Sequence, residues 1–218
     1  MATETVEGGQ RITPERAWWL RIPGVLVGPR PVFFALREDD PDDVSARAEP
    51  MLLVLWMAGA AAVLATPTAA VLLDKRTYDG TLLAVWAFIA GGIYGAVGYF
   101  LLGFALYFGT RLLGSLGDFR RARHTVGLAL VPMALSLLVL LPARLALYGG
   151  DAFRDGGADE GTGQAVLLVL QLGFVAWSLG LLLLGTRVVH GWTWIRSVSA
   201  VVVGAALLVA IVGVFVLV

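Results

Sequence analysis

Two aspartates at the borders of apolar stretches are the first candidates for catalysis. Asp79 follows a tyrosine, and Asp118 ends a Leu-Gly-Asp triplet. Two carboxylates that share a proton can act as acid and base, which is the chemistry of intramembrane aspartic proteases. The alternation of apolar stretches places these two on opposite sides of a membrane, about 30 Å apart. Position 115 is also Ser where the Gly-x-Gly-Asp motif has Gly. We therefore expect no carboxylate dyad.

Other reactive residue types are scarce. The chain has no cysteine, which excludes disulfides, thiolate metal ligands and thiol nucleophiles. The two histidines, His124 and His190, lie at helix ends without nearby carboxylates, so we interpret them as interface residues rather than metal ligands. There is no Gly-x-Ser-x-Gly motif. We expect no catalytic residue, no metal and no cofactor, and hence a protein that is not an enzyme.

Two polar side chains fall inside apolar stretches, Arg144 and Gln171. A charge within a membrane marks a functional site by default. Arg144, however, lies about one turn from Tyr148, and snorkelling to the outer headgroups is the alternative. Gln171 can hydrogen-bond across helices for around 1 kcal/mol. Asp, Glu, Lys and His are absent from the middle of every stretch, which argues against a proton-coupled carrier.

Long apolar stretches must position all of these residues. The chain has 218 residues, of which 58% are hydrophobic. Its net charge is zero, so no overall electrostatic attraction to nucleic acid is expected. A helix needs about 20 apolar residues to cross a hydrocarbon core of about 30 Å. The sequence predicts an all-α, polytopic membrane protein whose transmembrane domain, 51–218, is a bundle of five helices: 51–73, 81–113, 125–148, 164–186 and 197–218.

The arginines orient this bundle. Twelve of the sixteen basic residues fall before the first span, after the second and after the fourth. Basic loops stay cytoplasmic, so we expect the N terminus in the cytoplasm and the C terminus outside. The long second span could instead bend at Gly91-Gly92 or Gly103, which would invert the Arg-rich loop after it and is therefore disfavoured. Almost all of the basic residues are arginine rather than lysine, which is typical of a GC-rich bacterial genome. We therefore expect the protein to lie in a bacterial inner membrane.

The first fifty residues divide into two parts. Residues 1–16 are polar and are predicted to form a mobile tail. Residues 17–50 are predicted to form a cytoplasmic interfacial segment and an acidic linker, because 25–36 mixes aromatic, apolar and arginine residues as interface-lying segments do. The acidic cluster 38–43 is interpreted as a solvated, helix-capping turn.

Lipid contacts are predicted for a set of aromatic and basic residues. Arginines at a cytoplasmic face hold anionic headgroups at about 1 kcal/mol each, and tryptophans favour the headgroup level. The predicted set consists of Trp18, Trp19, Arg120, Arg121 and Arg123.

Helix packing is predicted for a run of small residues in the second span. Gly91 and Gly95 stand four apart, with Gly92 and Ala96 on the adjacent ridge. This spacing allows backbones to approach closely. Packing within the monomer is favoured, and a dimer seam is the alternative.

Short motifs, in order along the chain, carry a resemblance that runs from about residue 18 to the end. They are Gly28-Pro29-Arg30-Pro31-Val32-Phe33; Gly114 through Ala122 with Pro132; and Trp177-Ser178-Leu179 with Gly185-Thr186-Arg187 and Gly191. With these motifs the chain resembles the Yip family, the Ypt/Rab-interacting membrane proteins, particularly their bacterial relatives. The resemblance implies a five-helix bundle with a cytoplasmic N-terminal segment that self-associates or pairs with relatives. Eukaryotic members are linked to Rab GTPases and vesicle trafficking, a role that a bacterium without Rab machinery would not retain.

Two functions follow as hypotheses. The first is a non-enzymatic scaffold or adaptor whose partners are the lipid bilayer, a second copy of itself or another membrane protein. The alternative is a transporter or channel component that moves a lipid or small solute.

Overall fold

The computed structural model describes residues 14–39, 49–66, 80–149, 151 and 161–217. Across these ranges the chain is α-helical with short connecting turns, and they contain no β-strand. The helices are α1 (Pro14–Val27), α2 (Pro29–Glu38), α3 (Glu49–Leu64), α4 (Gly80–Leu112), α5 (Phe119–Ala129), α6 (Val131–Tyr148), α7 (Thr162–His190) and α8 (Trp194–Leu217).

Four helical stretches are long and apolar enough to cross a membrane. They are Gly80–Leu112, Phe119–Tyr148, Thr162–His190 and Trp194–Ile211. The first predicted span is represented by α3, whose 16 residues extend about 24 Å. Positions 67–73 of that span lie outside the described residues. Among the described residues, the structure therefore supports a helical membrane protein with four candidate crossings and two shorter apolar helices, Trp18–Val27 and Pro50–Leu64.

The second span is one continuous helix. α4 runs for 33 residues without interruption at Gly91-Gly92 or Gly103. The third predicted span, 125–148, instead belongs to a helical stretch that begins at Phe119 and is interrupted at Leu130, between α5 and α6. Pro132 explains this junction, because it lacks a backbone N–H and cannot continue the helical hydrogen-bond ladder.

Consecutive long helices run in opposite directions. α4 packs against α3, α5 and α8, and α7 packs against α2, α5, α6 and α8. The α4–α5 turn and the α7–α8 turn therefore lie at the same end of the bundle, which we call the basic end because the arginines near both turns gather there. Tyr148 and Gly163 meet at the opposite end.

The N-terminal helices are part of the core. Val25 of α1 and Phe33 and Leu36 of α2 are fully buried in one cluster with Met51 and Leu128. The segment predicted to lie on headgroups thus packs its apolar face against the bundle. Residues 1–13 of the predicted tail and 40–48 of the acidic linker lie outside the described residues.

Candidate functional site

Asp39 joins three helices at the basic end. At the C-terminal end of α2, its carboxylate accepts two hydrogen bonds from the Arg21 guanidinium of α1, one of them at 3.1 Å. Its backbone carbonyl accepts a third from Arg121 Nη2 of α5, at 2.9 Å. Residues 40–43 of the acidic cluster, which was expected to be a solvated capping turn, lie outside the described ranges, and Asp39 of that cluster fastens α1 and α2 to the bundle.

The two tryptophans of the predicted lipid set have different surroundings. Trp18 is only 4% exposed and meets His124 edge to face, with ring centroids 5.6 Å apart. Trp19 is 46% exposed. Trp18 therefore differs from its predicted role at the interface: because α1 turns this face toward α5, the indole packs inside the protein.

The three arginines of that set also separate. Arg120 is exposed. Arg121 is engaged with Asp39, as described above. The Arg123 guanidinium lies over three aromatic rings, at 5.4 Å from Tyr99, 4.8 Å from Phe100 and 4.8 Å from Phe119. Cation–π contacts of this kind hold the side chain within the protein, so of the three only Arg120 projects outward.

The other polar residues of this end have structural partners. The Asp118 carboxylate caps α5 by accepting the backbone N–H groups of Arg120 and Arg121. His124 Nδ1 is 2.9 Å from the Arg120 carbonyl oxygen of its own helix, and the His190 ring lies 4.7 Å from the Trp192 ring at a tilt of 36°. Among the residues that the structure describes, no three His, Cys, Asp or Glu side chains converge as metal ligands would. Asp79, the other aspartate considered for a dyad, lies outside the described ranges.

The predicted small-residue ridge lies largely against α3. A Cβ added to Gly91 would stand 2.8 Å from the Ala60 Cα, and one added to Gly95 would stand 2.8 Å from the Leu55 carbonyl carbon. These glycines therefore allow α3 and α4 to approach backbone to backbone. Gly92 lies beside the Trp56 indole, and Ala96 is exposed.

Arg144 and Gln171 line one cavity. It has a volume of about 400 Å³, lies between α3, α6 and α7 toward the opposite end, and also receives Gln164 and Ser136. The remaining lining is mostly leucine and alanine. The two residues that the sequence singled out as intramembrane polar groups thus lie in a common place, which their separation along the chain did not indicate.

A second cavity escaped the sequence interpretation. It lies at the basic end, has a volume of about 650 Å³, and is lined by Arg30 and Arg37 of α2 and by Arg187 of α7, among others. The spacing of seven between Arg30 and Arg37 places them on one helix face and was a usable signal. The participation of Arg187 depends on tertiary packing, and no sequence signal indicated it.

Comparison with known proteins gives one finding. The model of the Yip1 domain matches residues 24–217, which begin within α1 and end with α8. No curated protein and no solved structure matches the chain. The matched range covers the whole bundle together with α2, and it confirms the resemblance inferred from the short motifs. The chain belongs to the Yip family, as a helical integral membrane protein.

Proposed function

We propose that this chain is a non-enzymatic scaffold or adaptor of a bacterial inner membrane, with its N terminus in the cytoplasm and its C terminus outside. One observation carries the proposal: α1 and α2 are docked on the basic end. Together with the α4–α5 and α7–α8 turns they form a folded surface, which we call the platform. A surface of this kind at a membrane face suits the binding of a partner better than a mobile tail would.

The exposed side chains of the platform support this role. Leu116 in the α4–α5 turn is 94% exposed and Ile195 at the start of α8 is 81% exposed. Arg111 and Arg120 are exposed near them. Apolar side chains within a charged rim are typical of protein contact sites. The partner is a second copy of this chain or another membrane protein.

Site-specific crosslinking in native membranes tests the proposal. A photoreactive residue at Leu116 or Ile195 should give discrete protein adducts, whereas the same residue at Ile93 or Val169, exposed on the long helices, should give lipid adducts. Mass spectrometry of the adducts identifies a copy of the chain or a different partner. Lipid adducts alone at all four positions would contradict a scaffold role.

A transporter or channel component is the second candidate. It is favoured by the cavity that holds Arg144 and Gln171, because convergent polar groups in an apolar cavity are typical of a solute or lipid path. In proteoliposomes, flipping of fluorescent phosphatidylglycerol should be abolished by Arg144→Gln and Gln171→Leu but retained by Thr162→Val, an exposed change on α7. Vesicles that show no flipping above the protein-free rate would exclude this candidate for that lipid.

A further inference from the structure

The basic end contains a pocket that the proposed function does not by itself assign. It lies between the outer face of α2 and the end of α7, and it presents Arg30, Arg37 and Arg187 against one carboxylate, that of Glu38. Within the described ranges, none of these arginines lies within ion-pairing distance of a carboxylate. The balance of charge therefore favours an anion.

Because α2 is amphipathic, two of the arginines lie together on its exposed face. Phe33 and Leu36 are fully buried on one face, while Arg30 and Arg37 are exposed on the other. Phe34 lies between the two arginines along the helix, is 49% exposed, and also lines the pocket. This face of α2 thus combines two guanidinium groups with an apolar ring.

Close packing of α2 on α7 fixes the position of this face. A Cβ added to Gly185 would stand 2.7 to 3.0 Å from the Phe33 ring, so only glycine lets the ring dock there. Gly191, which ends α7 at φ +64°, makes a second close approach, because a Cβ there would stand 3.1 Å from Arg37 Nη1. The Arg37 guanidinium therefore lies against the α7 end and lines the same pocket as Arg187.

Aromatic rings support the wall contributed by α7 and α8. The Arg187 guanidinium carbon lies 4.7 Å from the Trp194 ring centroid, and its buried Nε has no hydrogen-bond partner in the described part of the chain. The Arg196 guanidinium carbon lies 4.2 Å from the ring centroid of Trp192, which lines the pocket. Stacking leaves the edge of a guanidinium available to an acceptor, since it occupies only the planar face.

We propose that this pocket binds the phosphate of an anionic membrane lipid. Guanidinium groups match phosphate oxygens with paired, charge-assisted hydrogen bonds, and tryptophans favour the headgroup level. The exposed Phe34 ring supplies an apolar contact for the glycerol and acyl part, which free phosphate lacks. The assignment rests on the proposed function only in placing the basic end at the cytoplasmic leaflet.

Lipid titration of the detergent-solubilised full chain, followed by native mass spectrometry, tests the pocket. Phosphatidylglycerol is the probe and phosphatidylcholine is the neutral comparison. Arg37→Gln with Arg187→Gln should weaken phosphatidylglycerol binding about tenfold or more, as expected for the loss of charge-assisted hydrogen bonds. The control, Arg111→Gln, removes one exposed charge from the same end outside the pocket and should change binding less than about threefold. The single change Arg30→Gln, on an exposed side chain, should weaken binding even if the double variant fails to fold.

The outcomes separate the pocket from the scaffold role. Equal weakening by Arg30→Gln and by its charge-matched control, Arg111→Gln, would overturn the pocket and leave only general charge attraction. Arginine-dependent binding of inorganic phosphate without binding of phosphatidylglycerol would overturn the lipid assignment. Crosslinks from Leu116 report on the scaffold role independently, because that residue is not part of the pocket.

Discussion

Asp118 caps α5 at the turn where the chain leaves α4 and begins its next passage through the bundle. Its carboxylate accepts the Arg120 N–H and, at 3.3 Å, the Arg121 N–H. These are two of the backbone donors that the first turn of a helix leaves without helical acceptors. The carboxylate thus stabilises α5, whose next residues include Arg121 and Arg123, the two arginines that contact α2 and α4.

Replacement of Asp118 by alanine should destabilise the fold by about 1 kcal/mol, the usual contribution of an N-cap side chain. Asp118→Asn keeps the accepting oxygen and should remain within a few tenths of a kcal/mol of the original chain. Thermal unfolding in detergent, followed by circular dichroism, measures the difference. Equal stability of the alanine and asparagine variants would show that the cap contributes nothing.

The roles of single arginines were only partly predictable. Their number and position indicated which end of the bundle is basic, since that depends on the order of residues alone. The cage around Arg123 was not predictable, because Tyr99 and Phe100 reach it from another helix. The same reason explains Arg121, whose acceptor on Asp39 is 82 positions away.

At the level of elements, α4 is packed on two sides through glycine. Gly91 and Gly95 face α3, and Gly109 faces α8, where a Cβ would stand 3.1 Å from the Ala200 carbonyl carbon. Gly204 of α8 makes the reciprocal approach to Ala105. Small residues let helices meet without a hydrophobic driving force, which lipid does not provide. The sequence indicated the first of these ridges, but not the second, which is formed by residues of α4 and α8 that are far apart in the sequence.

Gly95→Ala should weaken the packing of α3 on α4, since the added Cβ would overlap the Leu55 carbonyl group. Overpacking of this kind costs about 1 to 3 kcal/mol. Gly98→Ala is the control, because nothing lies within 4 Å of its Cβ position, and it should be neutral or slightly stabilising. Unfolding temperatures of the two purified variants provide the measurement. A Gly95→Ala chain of unchanged stability that no longer self-associates would instead favour the dimer seam.

The extent of the long helices was largely predictable, because length and apolar composition determine which stretches can cross a membrane. The docking of α1 and α2 was not. Their mixture of aromatic, apolar and arginine residues is also that of an interfacial helix, and the sequence does not show that Gly185 makes room for Phe33. The break at Leu130 was likewise indicated only by Pro132, which a helix can also accommodate near its start.

At the level of the whole molecule, the antiparallel path of α4 to α8 gathers both arginine-rich turns at one end. Basic loops are usually retained in the cytoplasm, so the reverse orientation, with these arginines on the far side of the membrane, is unfavourable. Burial of α1 and α2 at the same end adds Arg21, Arg30 and Arg37 to that side. The charge distribution therefore favours the proposed placement of the basic end in the cytoplasm.

Single cysteines test this orientation directly, because the native chain has none. Leu116→Cys and Ile195→Cys lie at the basic end, whereas Thr66→Cys and Thr162→Cys lie at the opposite end, and all four positions are exposed. In intact cells a membrane-impermeant maleimide should label only the second pair, and the first pair should become reactive after the membrane is opened. Full labelling after detergent treatment controls for intrinsic reactivity. Labelling of Thr66→Cys from the same side as Leu116→Cys would mean that α3 does not complete a crossing. Labelling of Leu116→Cys in intact cells would show that the orientation is the reverse of the proposed one and that the platform does not face the cytoplasm.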